Sequence, residues 1–176
     1  VETTTPLFTP EQCQKIIDAG RRQQPQKAQV GMGKPGGGLD TNKRTTTISW
    51  IPFKEMPEMY TDLNNFIQRA NLNHFGFGDI QITEQAQFTE YPEGGFYDWH
   101  MDCDVNMAHE PPVRKISMTL LLNHESQFEG GELELMAPGK KAKLSQGNAI
   151  TFASFLNHRV APVTRGVRQS LVVWFG

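Results

Sequence analysis

The fold class is decided by residues 115–152, which read KISMTLLLNHESQFEGGELELMAPGKKAKLSQGNAITF. This stretch contains three short runs of β-forming residues, at 115–122, 132–136 and 149–152. Turn-forming pairs separate the runs: Gly130-Gly131, Pro138-Gly139 and Gly147-Asn148. Short runs bounded by such pairs predict β-strands. Two further runs, at 85–91 and 167–175, extend the predicted β-structure in both directions.

The N-terminal half carries helical rather than β-type patterns. Thr9 is suited to cap a helix, Pro10 to its first turn, and Gln12 completes a capping box. A second helix is predicted over residues 57–71, where apolar side chains recur on one stripe, and one strand is predicted at 45–50. Helices followed by a run of strands indicate an α+β domain, a β-sandwich or barrel with helices packed on one face.

Composition excludes several classes of protein. The 176 residues are 38% hydrophobic and 20% charged, which suits a single globular domain and excludes a coiled coil, a collagen or a mostly disordered chain. No apolar stretch reaches the ~18 residues of a membrane span, and no basic segment followed by an apolar run marks a signal peptide. Cys13 and Cys103 make no disulfide framework. A cytoplasmic protein that does not associate with membranes is therefore expected.

Charge and glycine are unevenly distributed. The net charge of −2 argues against a broad nucleic-acid-binding surface, yet residues 1–50 carry 7 basic and 4 acidic side chains. This excess indicates either an acidic partner for the first third of the chain or an ordinary charged surface.

Residues 31–40 contain five glycines and Pro35. They are predicted to form a flexible loop, which acts either as a lid or as a linker.

The first candidate for chemistry is His100-Met101-Asp102. Residues two apart on an extended chain point to the same side, so His100 and Asp102 are placed to hold one metal ion together. A second histidine must come from another strand, and the candidates are His74, His109, His124 and His158. His158 fits best because it follows the predicted strand at 149–152 and opens a further predicted strand at 159–163. Two histidines and one carboxylate form the triad of non-haem Fe(II) oxygenases, although zinc hydrolases use the same ligand types.

The second candidate is Arg168, in the predicted strand at 167–175. The opposite face of that strand is almost wholly apolar, and a buried charge without a partner is very costly. A planar guanidinium suits a bidentate carboxylate, and Ser170 on the same face adds a hydroxyl donor. The residues therefore predict an anion site close to the metal. The alternative is a structural arginine that pairs with Glu132 or Glu134.

Taken together, these residues resemble the iron- and 2-oxoglutarate-dependent dioxygenases, in particular the prolyl-4-hydroxylase-like branch and its PKHD-type bacterial relatives. The resemblance rests on segments 91–92, 97–102, 114–123, 130–133 and 158–168, together with Gly147 and Trp174. It implies a double-stranded β-helix, the jelly-roll or cupin-like fold. Residues 81–176 would form the catalytic β core of one domain, and residues 1–80 its helical support and glycine-rich loop.

The resemblance also implies a role for each site residue. His100, Asp102 and His158 would hold Fe(II), and Arg168 would bind the distal carboxylate of the cosubstrate 2-oxoglutarate. Tyr91 matches a tyrosine that hydrogen-bonds the cosubstrate. Some relatives have a further cosubstrate-binding tyrosine near the position of Leu121. Its absence here places more weight on Tyr91 and on Ser170, and Ser117 and Thr119 are expected to line the same pocket as Leu121.

The resemblance extends to the substrate. Tyr97, Arg114 and Trp174 match residues that contact a prolyl peptide in prolyl 4-hydroxylases, with simple packing as the alternative for each. The expected activity is hydroxylation of an amino-acid side chain, with a prolyl residue in a peptide or protein favoured over a free amino acid. O2 is the expected oxidant and ascorbate a further candidate cofactor. The chain is expected to act as a monomer that binds no nucleic acid.

Two other functional classes remain open at this point. One is a cupin-like module that binds metal without oxidation chemistry, against which a buried Arg168 argues. The other is a zinc hydrolase, which needs a general base beside the metal-bound water. Glu90 and Asp104 are the candidates for that base.

Overall fold

The computed structural model describes residues 1–27, 43–103, 113–136, 138 and 140–176. The glycine-rich loop at 31–40, His109 and Asp104 lie outside the described residues. What the sequence predicts for them therefore stays a prediction.

Two helices precede the main β region, as predicted. Helix α1 spans Pro10–Arg22, and α2 spans Pro57–Ala70 and continues into a π-helical turn at Asn71–Phe75. The capping box is present: the Thr9 hydroxyl accepts the Gln12 N–H at 3.2 Å, and the Gln12 side-chain oxygen accepts the Thr9 N–H at 2.8 Å. None of the described helices combines the length and the apolar character needed to cross a membrane.

The described residues form thirteen strands. In chain order these are β1 (Gln26–Lys27), β2 (Arg44–Thr45), β3 (Thr47–Ile51), β4 (Ala86–Tyr91), β5 (Phe96–His100), β6 (Ile116–Leu121), β7 (Phe128–Gly130), β8 (Leu133–Leu135), β9 (Lys141–Ala142), β10 (Ala149–Ala153), β11 (His158–Val160), β12 (Val163–Gly166) and β13 (Arg168–Phe175). A 3-10 turn at Glu125–Gln127 precedes β7.

The strands form two main antiparallel sheets. The larger sheet has the order β1-β3-β4-β13-β6-β10, and the smaller has the order β2-β5-β11-β8-β9. Strands β12 and β7 pair separately. Apart from β8 and β9, neighbouring strands in each sheet come from distant parts of the chain, which is the connectivity of a jelly roll.

Two hydrophobic clusters show how the layers stack. The first joins the helices to one face of the larger sheet and includes Ile16, Leu63, Phe88, Leu120 and Leu171. The second lies between the sheets and includes Tyr91, Ile150, Phe152, Leu133 and Val160. The prediction of an α+β jelly roll with its helices packed on one face is confirmed.

Alternation along β13 places polar groups in the interior. Leu171, Val173 and Phe175 belong to the cluster under the helices, so Arg168 and Ser170 point the other way, towards the space between the sheets. Both side chains are buried. The fold therefore brings a cation and a hydroxyl into the interior of the sandwich.

The structure corrects two predicted strands. The single strand expected at 45–50 is divided into β2 and β3, which belong to different sheets. Thr46 lies at the division, and its hydroxyl donates to the carbonyl of Glu90 at 2.6 Å. The run expected at 159–163 is likewise divided into β11 and β12, with Pro162 between them; proline has no N–H to donate to a sheet.

Candidate active site

Two histidines face each other across neighbouring strands of the smaller sheet. His100 is the last residue of β5 and His158 the first of β11, and the antiparallel register pairs them directly. Asp102 follows β5, where its N–H donates to the carbonyl of Ser154 at 2.9 Å. The structure thus brings together the three side chains that the sequence singles out as metal ligands.

The ligand atoms of these three residues converge. Oδ1 of Asp102 lies 3.5 Å from Nε2 of His100 and 3.5 Å from Nε2 of His158. In each histidine the other nitrogen, Nδ1, is hydrogen-bonded to a backbone carbonyl, of Asp98 at 2.7 Å and of Leu156 at 2.9 Å. Such bonds fix the tautomer, so that Nε2 presents its lone pair to a shared centre.

The second carboxylate oxygen of Asp102 is used by the protein itself. Oδ2 accepts a hydrogen bond from the Ser117 hydroxyl at 2.6 Å and another from the Trp174 indole at 3.1 Å. Oδ1 makes no such bond and is left for a cation. Ser117 and Trp174 therefore set the orientation of the carboxylate.

The electrostatics suit a cation at this centre. Burial opposes ionisation of Asp102, but its close contacts with His100 and His158 hold the pKa of Asp102 well below its usual value. Burial lowers the pKa of His158, which keeps its ring neutral near pH 7, as a metal ligand must be. Two imidazoles that each present Nε2 and one carboxylate leave positions open on an octahedral ion, so the donor set fits Fe(II).

The other histidine candidates do not join this centre. Among the described residues, His100, Asp102 and His158 are the group of three whose ligand atoms lie within 4.8 Å of one another. His124 is exposed, and its Nδ1 is 2.8 Å from the Ser126 hydroxyl. His74 lies on the π-helical turn after α2.

Arg168 is buried without an acidic partner. Only 3% of the residue is exposed, and its Nη1 donates to the Ser170 hydroxyl at 3.2 Å. Its guanidinium carbon is 5.6 Å from the ring centroid of Tyr91, which lies opposite it in the β4–β13 register. Burial is the main reason why the pKa of Arg168 is lowered, because a buried site disfavours a cation without a compensating anion.

The alternative pairing of Arg168 with a glutamate is not found. Glu134 forms ion pairs with Arg159 at 2.7 Å and with Lys141 at 3.9 Å. No acidic side chain among the described residues forms an ion pair with Arg168, Glu132 included. Arg168 lines a cavity of about 540 Å³ whose lining also includes Leu121 and Glu132.

Gly131 makes room for this arginine. A Cβ added at Gly131 would lie 2.9 Å from Cδ of Arg168, and the backbone there has a φ of +67°, which side chains rarely tolerate. The pair Gly130-Gly131 therefore does more than form a turn between strands. It also lets the backbone pass close to the buried Arg168 side chain.

Arg114 and Trp174, named by the sequence as substrate contacts, pack against each other. The guanidinium carbon of Arg114 lies 3.7 Å from the Trp174 ring centroid, and Arg114 also pairs with Glu84. Trp174 is 5% exposed, and its indole N–H donates to Asp102. Both residues thus have structural partners beside the metal ligands, whatever contact they make with a substrate.

Tyr97, the third substrate candidate, stacks on a metal ligand. Its ring centroid is 3.5 Å from that of His100, with an interplanar angle of 17°. A second neighbour of Tyr97, Arg44, was not predicted from the sequence. The guanidinium carbon of Arg44 lies 4.3 Å from the Tyr97 centroid, and Arg44 is itself buried. The only signal for Arg44 in the sequence is the basic excess in residues 1–50.

Replacing Trp174 with phenylalanine is expected to weaken metal binding. The ring remains, but the hydrogen bond to Oδ2 of Asp102 is lost, and partners of this kind typically contribute about 10- to 100-fold in metal affinity. Anaerobic titration with Fe(II) measures the change. Trp50→Phe is the matched control, because the Trp50 ring packs 6.2 Å from Trp174 and has no bond to a ligand carboxylate among the described residues. Unchanged affinity in Trp174→Phe would contradict the prediction.

Comparison with known proteins places this site in context. A family model described as the 2OG-Fe(II) oxygenase superfamily matches residues 86–176. A PKHD-type hydroxylase from Colwellia psychrerythraea is 42% identical over 148 residues, which are 81% of this chain and 65% of that protein. The chain therefore spans less than two thirds of the length of this relative.

Solved structures share the fold over nearly the whole chain. A prolyl-4-hydroxylase from Pseudomonas putida matches with a TM-score of 0.73 and 21% identity, covering 99% of this chain and 90% of that one. A prolyl hydroxylase from Trichoplax adhaerens, in complex with a peptide fragment of hypoxia inducible factor, matches with a TM-score of 0.73 and 18% identity, covering 99% and 82%. At these identities the likeness shows the fold alone.

Proposed function

Because the chain belongs to the 2OG-Fe(II) oxygenase superfamily, we propose that it is an Fe(II)- and 2-oxoglutarate-dependent dioxygenase that hydroxylates an amino-acid side chain. A prolyl residue in a peptide or protein is the favoured target. The observation that carries the proposal is the convergent group of His100, Asp102 and His158, together with the buried Arg168, which no acidic partner among the described residues neutralises.

Fe(II) would be held by Nε2 of both histidines and by Oδ1 of Asp102. When bound, it supplies oxidation by O2, in which 2-oxoglutarate becomes succinate and carbon dioxide and a C–H bond gains a hydroxyl group. Ascorbate, the further candidate cofactor, belongs to the same proposal. The protein contributes the geometry of the site and the exclusion of water from it.

The cosubstrate would be oriented by residues of the larger sheet. Arg168 binds its distal carboxylate, and the buried guanidinium then gains the anion that the described residues do not provide. Ser170, which already accepts a hydrogen bond from Arg168, holds the guanidinium in place. Tyr91 lies opposite Arg168 in the sheet and adds its hydroxyl to the same site.

The two alternative functions lack comparable support. Glu90, one candidate base of a zinc hydrolase, pairs with Arg21 at 3.1 Å and accepts a hydrogen bond from Gln169 at 3.1 Å. It follows Thr89 and precedes Tyr91 on β4, so it points to the face opposite Tyr91. A binding module without chemistry gives no reason to bury Arg168 beside a metal site.

A prolyl target rests on the likeness to prolyl hydroxylases, one of which was solved with a peptide. It is also consistent with the aromatic rings of Tyr97 and Trp174 near the metal ligands. A cytoplasmic location and a monomeric state complete the proposal.

Incubation with Fe(II), 2-oxoglutarate and proline-containing peptides is expected to yield succinate and a peptide heavier by one oxygen atom. Zn(II) should support neither product, because it has no redox chemistry. Mass spectrometry of the peptides and an assay of succinate measure both. Cleavage of a peptide with Zn(II), without any succinate, would favour a hydrolase. Succinate without any modified peptide, while a free amino acid gains oxygen, would move the target from peptides to amino acids.

A further inference from the structure

The described residues include two buried arginines, Arg168 and Arg44. The first has a role in the proposed function, and the second has none. Arg44 is 8% exposed and lies on β2, at the edge of the smaller sheet, where its register partner on β5 is Tyr97. The two arginines thus belong to opposite sheets of the sandwich.

The hydrogen bonding of Arg44 is incomplete. Nη2 donates to the side-chain oxygen of Gln87 at 3.1 Å, and the guanidinium lies over the Tyr97 ring. Nε is buried with no hydrogen-bond partner, and it is the one such side-chain atom among the described residues. A buried donor without a partner destabilises the folded protein, and more so when the donor is charged. A buried unsatisfied group in a folded protein calls for a specific explanation, such as a functional role or a bound ion.

The other cations around this side of the site have acceptors of their own. Arg114 pairs with Glu84, Arg159 pairs with Glu134, and Lys43 donates to the carbonyl of Trp99. No acidic side chain in the described part of the chain forms an ion pair with Arg44. Its positive charge is therefore uncompensated there, as that of Arg168 is.

Arg44 is also close to the reacting centre. It lies against Tyr97, and Tyr97 in turn stacks on the metal ligand His100. A single aromatic ring therefore separates the guanidinium from the metal ligand. Gln87, buried on β4 of the larger sheet, holds Nη2 and orients the group.

We propose that Arg44 selects substrates that carry a carboxylate next to the hydroxylated residue. The carboxylate accepts the Nε–H of Arg44 and neutralises its charge, as 2-oxoglutarate does for Arg168. This inference rests on the proposed function and narrows its substrate class. The carboxylate has three possible sources: an Asp or Glu side chain flanking the target, a peptide C-terminus, or the α-carboxylate of a free amino acid.

The test uses the chain loaded with Fe(II) and 2-oxoglutarate, and a proline-centred peptide library randomised at each flanking position. Each peptide is made with a C-terminal acid and with a C-terminal amide, and free proline is assayed beside them. Mass spectrometry ranks the hydroxylated products. Wild-type protein should prefer Asp over Asn and Glu over Gln at one flanking position, or the acid over the amide, or free proline over its amide, by about 10- to 100-fold. The arm that shows the preference identifies the source of the carboxylate.

Three variants separate specificity from structure. Arg44→Gln should remove the preference while leaving Fe(II) affinity and the KM for 2-oxoglutarate unchanged, and Arg44→Lys should restore part of it. Arg22→Gln is the matched control, since Arg22 is 59% exposed and lies on α1. A structural role for Arg44 would lower all turnover equally. If Arg44→Gln fails to fold, comparing the substrate preference of wild-type protein with that of Arg44→Lys still tests the proposal.

The remaining outcomes overturn the proposal. Equal hydroxylation of the acidic and the amide member of each pair by wild-type protein would overturn the proposal. A preference for substrates with basic neighbours would overturn it as well. A preference that survives in both Arg44 variants would assign it to another residue. Succinate formation with no modified member of the library would reject the carboxylate-bearing substrate while the dioxygenase function stands. Absence of succinate in every reaction would instead reject the proposed function.

Discussion

Replacing His158 with alanine is expected to reduce succinate formation more than about 100-fold, since losing a ligand should exceed the effect typical of losing its supporting partners. In the proposed site the imidazole would be one of three protein ligands, and without it only His100 and Asp102 would remain to hold the ion. His100→Ala and Asp102→Ala are expected to behave alike. Anaerobic Fe(II) titration should show the loss directly, independently of turnover.

A matched histidine elsewhere controls for this result. His124→Ala removes an exposed imidazole, whose Nδ1 contacts Ser126, and should leave both metal affinity and turnover unchanged. Circular dichroism should show that all variants are folded, because Phe152 and the surrounding cluster remain in place in His158→Ala. Near-normal turnover in folded His158→Ala would mean that a different residue supplies the third ligand.

Replacing Arg168 with leucine is expected to weaken 2-oxoglutarate binding far more than Fe(II) binding. Removing one partner of a buried ion pair costs about 3–5 kcal/mol, which corresponds to roughly a hundredfold to several thousandfold in affinity. Arg168→Lys should lose less, because it keeps the charge but not the planar fork. Titration of 2-oxoglutarate into the Fe(II)-loaded protein measures the difference.

The control for Arg168 lies three residues earlier in the chain. Arg165 is on β12, is largely exposed and pairs with Glu129, so Arg165→Leu should leave 2-oxoglutarate affinity unchanged. Equal affinities in Arg168→Leu and wild type would show that the buried arginine does not bind the cosubstrate. The cavity beside it would then need another occupant.

Local pattern predicts much of this fold and part of its site. Alternation along the last strand is enough to place Arg168 and Ser170 on the face opposite Leu171 and Val173, and the structure agrees. The capping box at Thr9 and the course of α2 follow equally from short-range rules. His100 and Asp102 are close in sequence, so their convergence also needs little tertiary information.

Contacts between distant segments lie beyond such rules. His158 meets His100 only through the β5–β11 register, which shifts between His158 and Val160. The bond from Trp174 to Asp102 joins residues on different layers, and local pattern gives no sign of it. Arg44 is harder still, because its burial depends on the division of one expected strand between two sheets.

The position of the metal ligands on β5 and β11 has a consequence for the stability of the domain. An ion bound to His100, Asp102 and His158 ties two neighbouring strands together, and it binds the folded chain in preference to the unfolded one. At a free metal concentration a hundred times the Kd, mass action adds about 2.7 kcal/mol to the free energy of unfolding. We therefore expect the melting temperature of this protein to rise with the concentration of free metal ion.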